Sequence, residues 1–205
     1  MKRRGFFKTA TAVAAVPLGF DSSCADDESE TPRVMTVTGE VSADRLGKML
    51  PHEHVMVDFI GAEMVSPNRY ETDEVFRVML PYVSRVKEAG CRTIAECTPA
   101  YLGRDPKLLQ RLSKATGVKF LTNTGYYGAK QGKFLPAFAF RESADELAKR
   151  WTAEWKVGIE GTGTRPGFIK IGVDAGELTT VNRKLIEAAA RCHLDTGLVI
   201  AGHTG

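Results

Sequence analysis

An α/β fold with a parallel sheet, read as a (β/α)8 barrel present in part, is predicted by three features of this 205-residue sequence. Apolar runs of strand length alternate with amphipathic helical stretches along nearly the whole chain. The strands are almost continuously hydrophobic, as in a sheet covered by helices. Candidate ligand residues fall on strands or at their C-terminal ends, the face on which a barrel carries its active site. An open doubly wound sheet satisfies the first two features as well. No G-x-G-x-x-G or phosphate loop follows a strand, which counts against nucleotide binding.

In chain order, residues 34–41 read as a short strand or hairpin and 52–59 as the first core strand. A helix is expected from Thr72 to Gly90, burying Val75, Val78, Met79, Tyr82, Val83 and Val86, with Pro81 predicted to kink or break it. Residues 91–97 form the next strand. Asp105-Pro106 opens a helix with a cap and an N1 proline, Gly117 closes it, and 118–122 is the third core strand. Ser143 and Glu146 make a capping-box signature ahead of a face of Ala144, Leu147, Ala148, Trp151 and Trp155, whose tryptophans read as core. Residues 168–173 are the fourth strand, 181–196 a helix ending at Gly197, and 198–203 the fifth strand.

Composition is that of a globular protein, 43% hydrophobic and 26% charged. The formal charge of +3 resides in the first 25 residues, beyond which basic and acidic residues number 24 each. No basic footprint for nucleic acid and no amphipathic membrane segment remains. Arg3-Arg4-Gly5-Phe6-Phe7-Lys8, followed by an apolar stretch over 9–20 and small residues at Ser23-Cys24-Ala25, reads as a twin-arginine export leader. It is too short to span a bilayer. A basic N-terminus on a buried helix is the competing reading. The expected organisation is a leader over 1–25, a flexible mature start over 26–33 and one partial barrel domain over 34–205, with a periplasmic or extracytoplasmic destination. Asp21 occupies the place where a lipobox wants an aliphatic residue, which argues against lipid attachment at Cys24. The four cysteines show no metal-ribbon spacing, and no structural disulfide is expected.

The chemistry concentrates at Pro51-His52-Glu53-His54. On a strand, His52 and His54 point to one side, and two converging imidazoles supply two corners of a metal site. Taken alone, the spacing equally fits surface or hydrogen-bonded core histidines. Lys170 lies inside an apolar strand, where an ammonium must pair with a charge, reach water, lose its proton or be chemically altered. A neutral amine there can take up carbon dioxide as a carbamate, a carboxylate on a long arm. His203 ends the fifth strand at the same rim, while His193 reads as a surface or helix-packing residue.

Three segments carry a resemblance: Gly47-Lys48-Met49-Leu50-Pro51-His52-Glu53-His54, Gly90-Cys91-Arg92-Thr93-Ile94-Ala95-Glu96-Cys97-Thr98, and Gly158-Ile159-Glu160-Gly161-Thr162-Gly163-Thr164-Arg165-Pro166-Gly167-Phe168-Ile169-Lys170. Through them the sequence from about Val34 to Gly205 resembles the phosphotriesterase family of the amidohydrolase superfamily, although Met49 stands where many members carry threonine. The resemblance implies a metal-dependent hydrolase on an amidohydrolase-type barrel. His52 and His54 would bind a buried divalent metal, carboxylated Lys170 would bridge two metals, and His203 would bind the more exposed one. Zinc is the first expectation, with manganese, cobalt or iron as alternatives. A hydroxide held between the metals would attack a phosphotriester, lactone or related small-molecule ester. Tyr126 and Tyr127 are candidates for the pocket wall or for simple rim packing. The family's further histidine on the sixth strand and aspartate on the eighth have no position here.

About five of eight βα units fit in the sequence, because a complete barrel takes about 250 residues. The expectation is therefore a truncated chain with little activity by itself and with unpaired edge strands prone to misassembly. A homodimer is allowed. The competing functions are an exported, non-catalytic metal-binding remnant and another amidohydrolase acting on cyclic amides or by deamination.

Overall fold

The computed structural model describes residues 31–204. The proposed leader, Cys24 and residues 26–30 lie outside the described residues.

The chain opens with an antiparallel hairpin, β1 (Arg33–Thr36) and β2 (Gly39–Ser42), whose turn buries Val37 and donates its N–H to Phe120 O at 2.9 Å. Six short strands then carry the sheet: β3 (Met49–Glu53), β4 (Thr93–Glu96), β5 (Lys119–Leu121), β6 (Asn123–Thr124), β7 (Phe168–Val173) and β8 (Ile200–Thr204). All pairings among them are parallel, in the orders β3-β4-β5 and β6-β7-β8. Only Thr122 separates β5 from β6, so one chain segment pairs first with β4 and then with β7. Five consecutive barrel staves result, and among the described residues β3 and β8 each pair on one side only.

Helices α1 (Thr72–Glu88), α2 (Pro106–Thr116), α3 (Ala137–Arg141), α4 (Ala144–Val157) and α5 (Thr180–Thr196) connect the staves. Local sequence sets their ends. Asp105 accepts from Leu108 N at the start of α2, Ser143 and Glu146 cap α4 reciprocally, and Gly117 and Gly197 close α2 and α5 in left-handed conformation. Among the described residues no helix is long and apolar enough to cross a membrane, and Cys91, Cys97 and Cys192 are free thiols.

Alternation along the strands sorts the core into layers. Ile94, Phe120, Leu108 and Leu112 fill the space under α1 and α2, while Ile169, Ile171, Trp151 and Leu185 fill that under α4 and α5. The opposite, inner face carries Ala95, Cys97, Leu121 and Phe168. Lys170 follows Phe168 by two residues and so projects from this inner face.

Three expectations are corrected. The first core strand spans 49–53 rather than 52–59, because beyond Glu53 the backbone bonds leave the ladder: Val55 N donates to a Glu96 carboxylate oxygen and Asp58 N to Leu102 O. Helix α1 runs unbroken through Pro81, whose ring lies on the exposed side. Val78 and Tyr82 are exposed rather than buried. They share an outward stripe at i, i+4 spacing, and Arg85 stacks over the Tyr82 ring at 4.7 Å. In chemical denaturation, Leu112→Ala should cost about 2–5 kcal/mol as a fully buried truncation, and Val78→Ala should stay within about 0.5 kcal/mol of wild type.

Candidate metal centre

A β-bulge aims the first two histidines. Leu50 pairs with Ile94 and Glu53 with Glu96, so Pro51 and His52 together oppose the single residue Ala95. Proline suits such a position because it has no N–H to withhold from a ladder. His52 and His54 emerge with ring centroids 5.2 Å apart at 65°. Nδ1 of His54 lies 2.8 Å from Thr98 Oγ1. That hydroxyl is 2.6 Å from Glu96 Oε1 and 3.0 Å from Met56 O. Glu96 is only 2% exposed. Its oxygens also accept from Val55 N and Thr98 N, each at 3.2 Å.

The other wall is β7 and β8. Lys170 is 2% exposed, and its amine has no ion-pair or hydrogen-bond partner among the described residues. The chain passes close by at Gly125, where φ is +106° and an added Cβ would stand 2.2 Å from Lys170 O. Gly172 pairs with His203 across the two strands. The missing side chain at Gly172 lets Tyr127 lie on the strand, since a Cβ there would be 2.5 Å from its ring. Tyr127 then reaches His203 with a centroid distance of 5.3 Å. Tyr126 points the other way, into the core, 5.3 Å from the Trp151 ring. Of the two tyrosines named in the sequence, Tyr127 lines the cavity and Tyr126 is core. His193 stays on α5, with Nδ1 2.9 Å from Leu198 O, away from the site.

His52, His54, Lys170 and His203 thus meet around a cavity of about 210 Å³, lined also by Tyr127 and Cys97 and by the apolar Val57, Phe59 and Leu102. Among the described residues no carboxylate lines it. The basic groups consequently oppose protonation of His52 and His54. Burial is the largest influence on His54, followed by the charges of His52, Lys170 and His203, and its pKa falls to about 4. Burial, then Lys170 and His203, lowers that of His52, with Glu53 opposing. Burial lowers that of Lys170 as well. Among the described residues no three His, Cys, Asp or Glu side chains converge tightly enough to hold an ion. Beside the histidines, Lys170 brings an amine, Cys97 a thiol and Tyr127 a phenol to the cavity wall. A larger cavity, about 470 Å³, lies at the opposite ends of the strands between Met49, Phe168 and Val199. It is mainly apolar, and its charged residues sit at the hairpin and at Arg165, so it gathers no comparable chemistry.

Two features escaped the sequence reading. Glu96 and Thr98 form the layer behind His54; an acid inside the apolar run 91–97 was the available signal. Arg104, buried, donates to both Glu154 oxygens at 2.9 and 2.7 Å and to Glu160 at 2.9 Å. It thereby ties the loop after β4 to α4 and to the Gly158–Lys170 motif, in which Glu160 adopts φ +48°.

A parallel sheet whose titratable groups gather at the C-terminal ends of successive strands, with helices behind it, is the arrangement of a (β/α)8-barrel protein. The sequence profile of the Phosphotriesterase family matches residues 32–205, and the chain belongs to that family. Its relatives include the aryldialkylphosphatase of Saccharolobus solfataricus, 33% identical over 164 residues, which cover 80% of this chain and 51% of the relative. The phosphotriesterase homology protein of Escherichia coli is 31% identical over 165 residues, covering 80% and 54%. The organophosphorus hydrolase of Deinococcus radiodurans superposes with a TM-score of 0.75 at 32% identity, covering 84% of this chain and 53% of that one. The N-acetyltaurine hydrolase of Mus musculus is 27% identical over 202 residues, covering 84% and 56%. The chain spans about half the length of these relatives.

Burial pushes the Glu96 carboxyl up to about 7 against the pull of its hydrogen bonds and Arg104. An unfolded glutamate titrates near 4.3, so the folded state holds this proton more tightly. The associated stability is complete below pH ~4.3 and is lost as pH rises through about 7. Glu96→Gln cannot ionise. Its melting temperature relative to wild type should therefore rise between pH 5 and pH 8; a flat or falling difference would contradict the assignment.

Proposed function

We propose that this chain carries the first part of a metal-dependent hydrolase site for ester bonds, in which His52, His54, His203 and a carboxylated Lys170 hold two divalent cations, zinc first among them. The observation that carries the reading is Lys170, a buried residue whose unpartnered amine faces the cavity among three histidines, with no carboxylate on the wall among the described residues. Such a set disfavours protons and calls for anionic charge and Lewis-acidic partners. His54 fits a ligand's role because Nδ1 is occupied by Thr98, which leaves Nε2 for the cavity.

Desolvation keeps the Lys170 amine nucleophilic. Its lone pair forms an N–C bond to carbon dioxide, one C=O electron pair moves to oxygen, and an Nζ proton leaves to water. The carbamate so made supplies two oxygens where the cavity has no other carboxylate. Bound divalent cations would contribute Lewis acidity and bring a water's pKa toward 7. Val57, Phe59 and Leu102 give the cavity an apolar border for the ester's substituents, and Tyr127 borders the leaving group beside His203. Phosphotriesters and lactones are the leading substrate classes, in keeping with the names of the aryldialkylphosphatase and organophosphorus hydrolase relatives. The N-acetyltaurine hydrolase relative makes a small amide the second class to test.

Zinc analysis of the purified chain tests the centre. Bound Zn2+ should be present in wild type and lost in His52→Asn and His54→Asn while circular dichroism stays native; equal metal in all three contradicts the reading. Against aryl phosphotriesters and lactones, the 205-residue chain by itself should turn over far more slowly than the Deinococcus enzyme, and equal turnover would overturn that expectation. Residues 1–25 are proposed to direct twin-arginine export. Replacing Arg3 and Arg4 by lysine should retain the protein in the cytoplasm, and undiminished periplasmic recovery would contradict it.

A further inference from the structure

Behind His54 stands a polar layer whose proton positions can be deduced by counting. Thr98 Oγ1 has three neighbours: Glu96 Oε1 at 2.6 Å, His54 Nδ1 at 2.8 Å and Met56 O at 3.0 Å. The hydroxyl has a single proton to give. Met56 O is a carbonyl and only accepts. At pH 8, above the value of about 7 to which burial raises it, the Glu96 carboxyl is ionised, and its oxygens accept from two backbone N–H groups, Val55 N and Thr98 N. The short contact to Oε1 is that of a hydroxyl donating to a carboxylate. With the threonine proton spent on that side, His54 Nδ1 must carry its own proton and donate to Oγ1. Nε2 is then left with a free lone pair.

We propose that Glu96 and Thr98 are positioning residues for His54, fixing its imidazole as the Nδ1–H tautomer with Nε2 turned to the cavity. The inference rests on the reading of His54 as a metal ligand only for its consequence, not for its geometry. One carboxylate secures the site twice. It grips the backbone immediately after His54 through Val55 N, and the ring through Thr98. Asn123 secures the carboxylate's own strand, donating to Glu96 O at 2.9 Å and Thr98 O at 3.1 Å. A carboxylate–hydroxyl–imidazole relay of this kind orients a metal-binding ring and raises its basicity, and losing such a partner typically weakens metal binding by about 10–100-fold.

The experiment uses the full chain labelled with 15N,13C-histidine, metal-free at pH 8. His54 is assigned by the signal lost in His54→Gln. Wild type should show the proton on Nδ1. Thr98→Val, nearly the same shape without the hydroxyl, should move His54 toward the Nε2–H form that free imidazole side chains favour, and Thr98→Ser should restore Nδ1–H. Zn2+ titration should give binding about 10–100-fold weaker in Thr98→Val and near wild type in Thr98→Ser. An Nε2–H ring in wild type overturns the proposal even if Thr98→Val fails to fold. An unchanged tautomer in a folded Thr98→Val overturns it as well, since a merely structural threonine would leave the ring alone. A wild-type chain with Nδ1–H that binds no Zn2+ supports the relay and overturns the metal reading instead.

Discussion

Lys170 places a basic amine on the inner face of β7, two residues along from Phe168, where its stem is buried and no acid among the described residues answers it. Carrying a buried ammonium without a counter-charge costs several kcal/mol, so the group is driven toward its neutral form. The geometry around it keeps that condition intact. Gly125 lets the preceding strand segment pass against Lys170 O, and Gly172 lets Tyr127 lie flat on β7 toward His203. His52 and His54 approach from β3, their own protonation suppressed by the same crowding. Burial first, and the neighbouring basic groups after it, therefore keep His52 and His54 neutral beside this amine.

The supporting polar groups fall behind the cavity. Glu96, Thr98 and Asn123 are buried and bonded to one another or to backbone, and they lock the turn that follows β3. Arg104 does the same on a larger scale, joining the β4 loop, α4 and the Gly158–Lys170 motif through Glu154 and Glu160. Acidic charge is thus spent on holding loops, while the cavity wall is left basic and apolar. That division suits a site that receives its anionic charge from the proposed carbamate on Lys170.

What the sequence revealed and what it hid divide along physical lines. Helix ends were legible because capping is local: Asp105, Ser143 with Glu146, Gly117 and Gly197 act within a turn of their own position. Strand β7 was legible because its hydrophobic run has a lysine where none should be. The bounds of β3 were misplaced because its bulge is set by pairing with β4 and its end by the bond from Val55 N to Glu96, 41 positions away. Periodicity put Val78 and Tyr82 in the core although the packed stripe of α1 is Val75, Met79, Val83 and Val86. Tyr126 and Tyr127 are adjacent, and only the sheet decides that one faces Trp151 and the other His203. Glu96 carried the same kind of signal as Lys170, a charge inside an apolar run, and would have been found by the same reasoning.

The account turns on the chemical state of Lys170, which 13C NMR reads directly. After equilibration of the purified chain with 13C-bicarbonate and Zn2+, wild type should give one carbamate carbon resonance that is absent from Lys170→Ala and lost on acidification. No such resonance at saturating Zn2+, or one that persists in Lys170→Ala, would contradict the account.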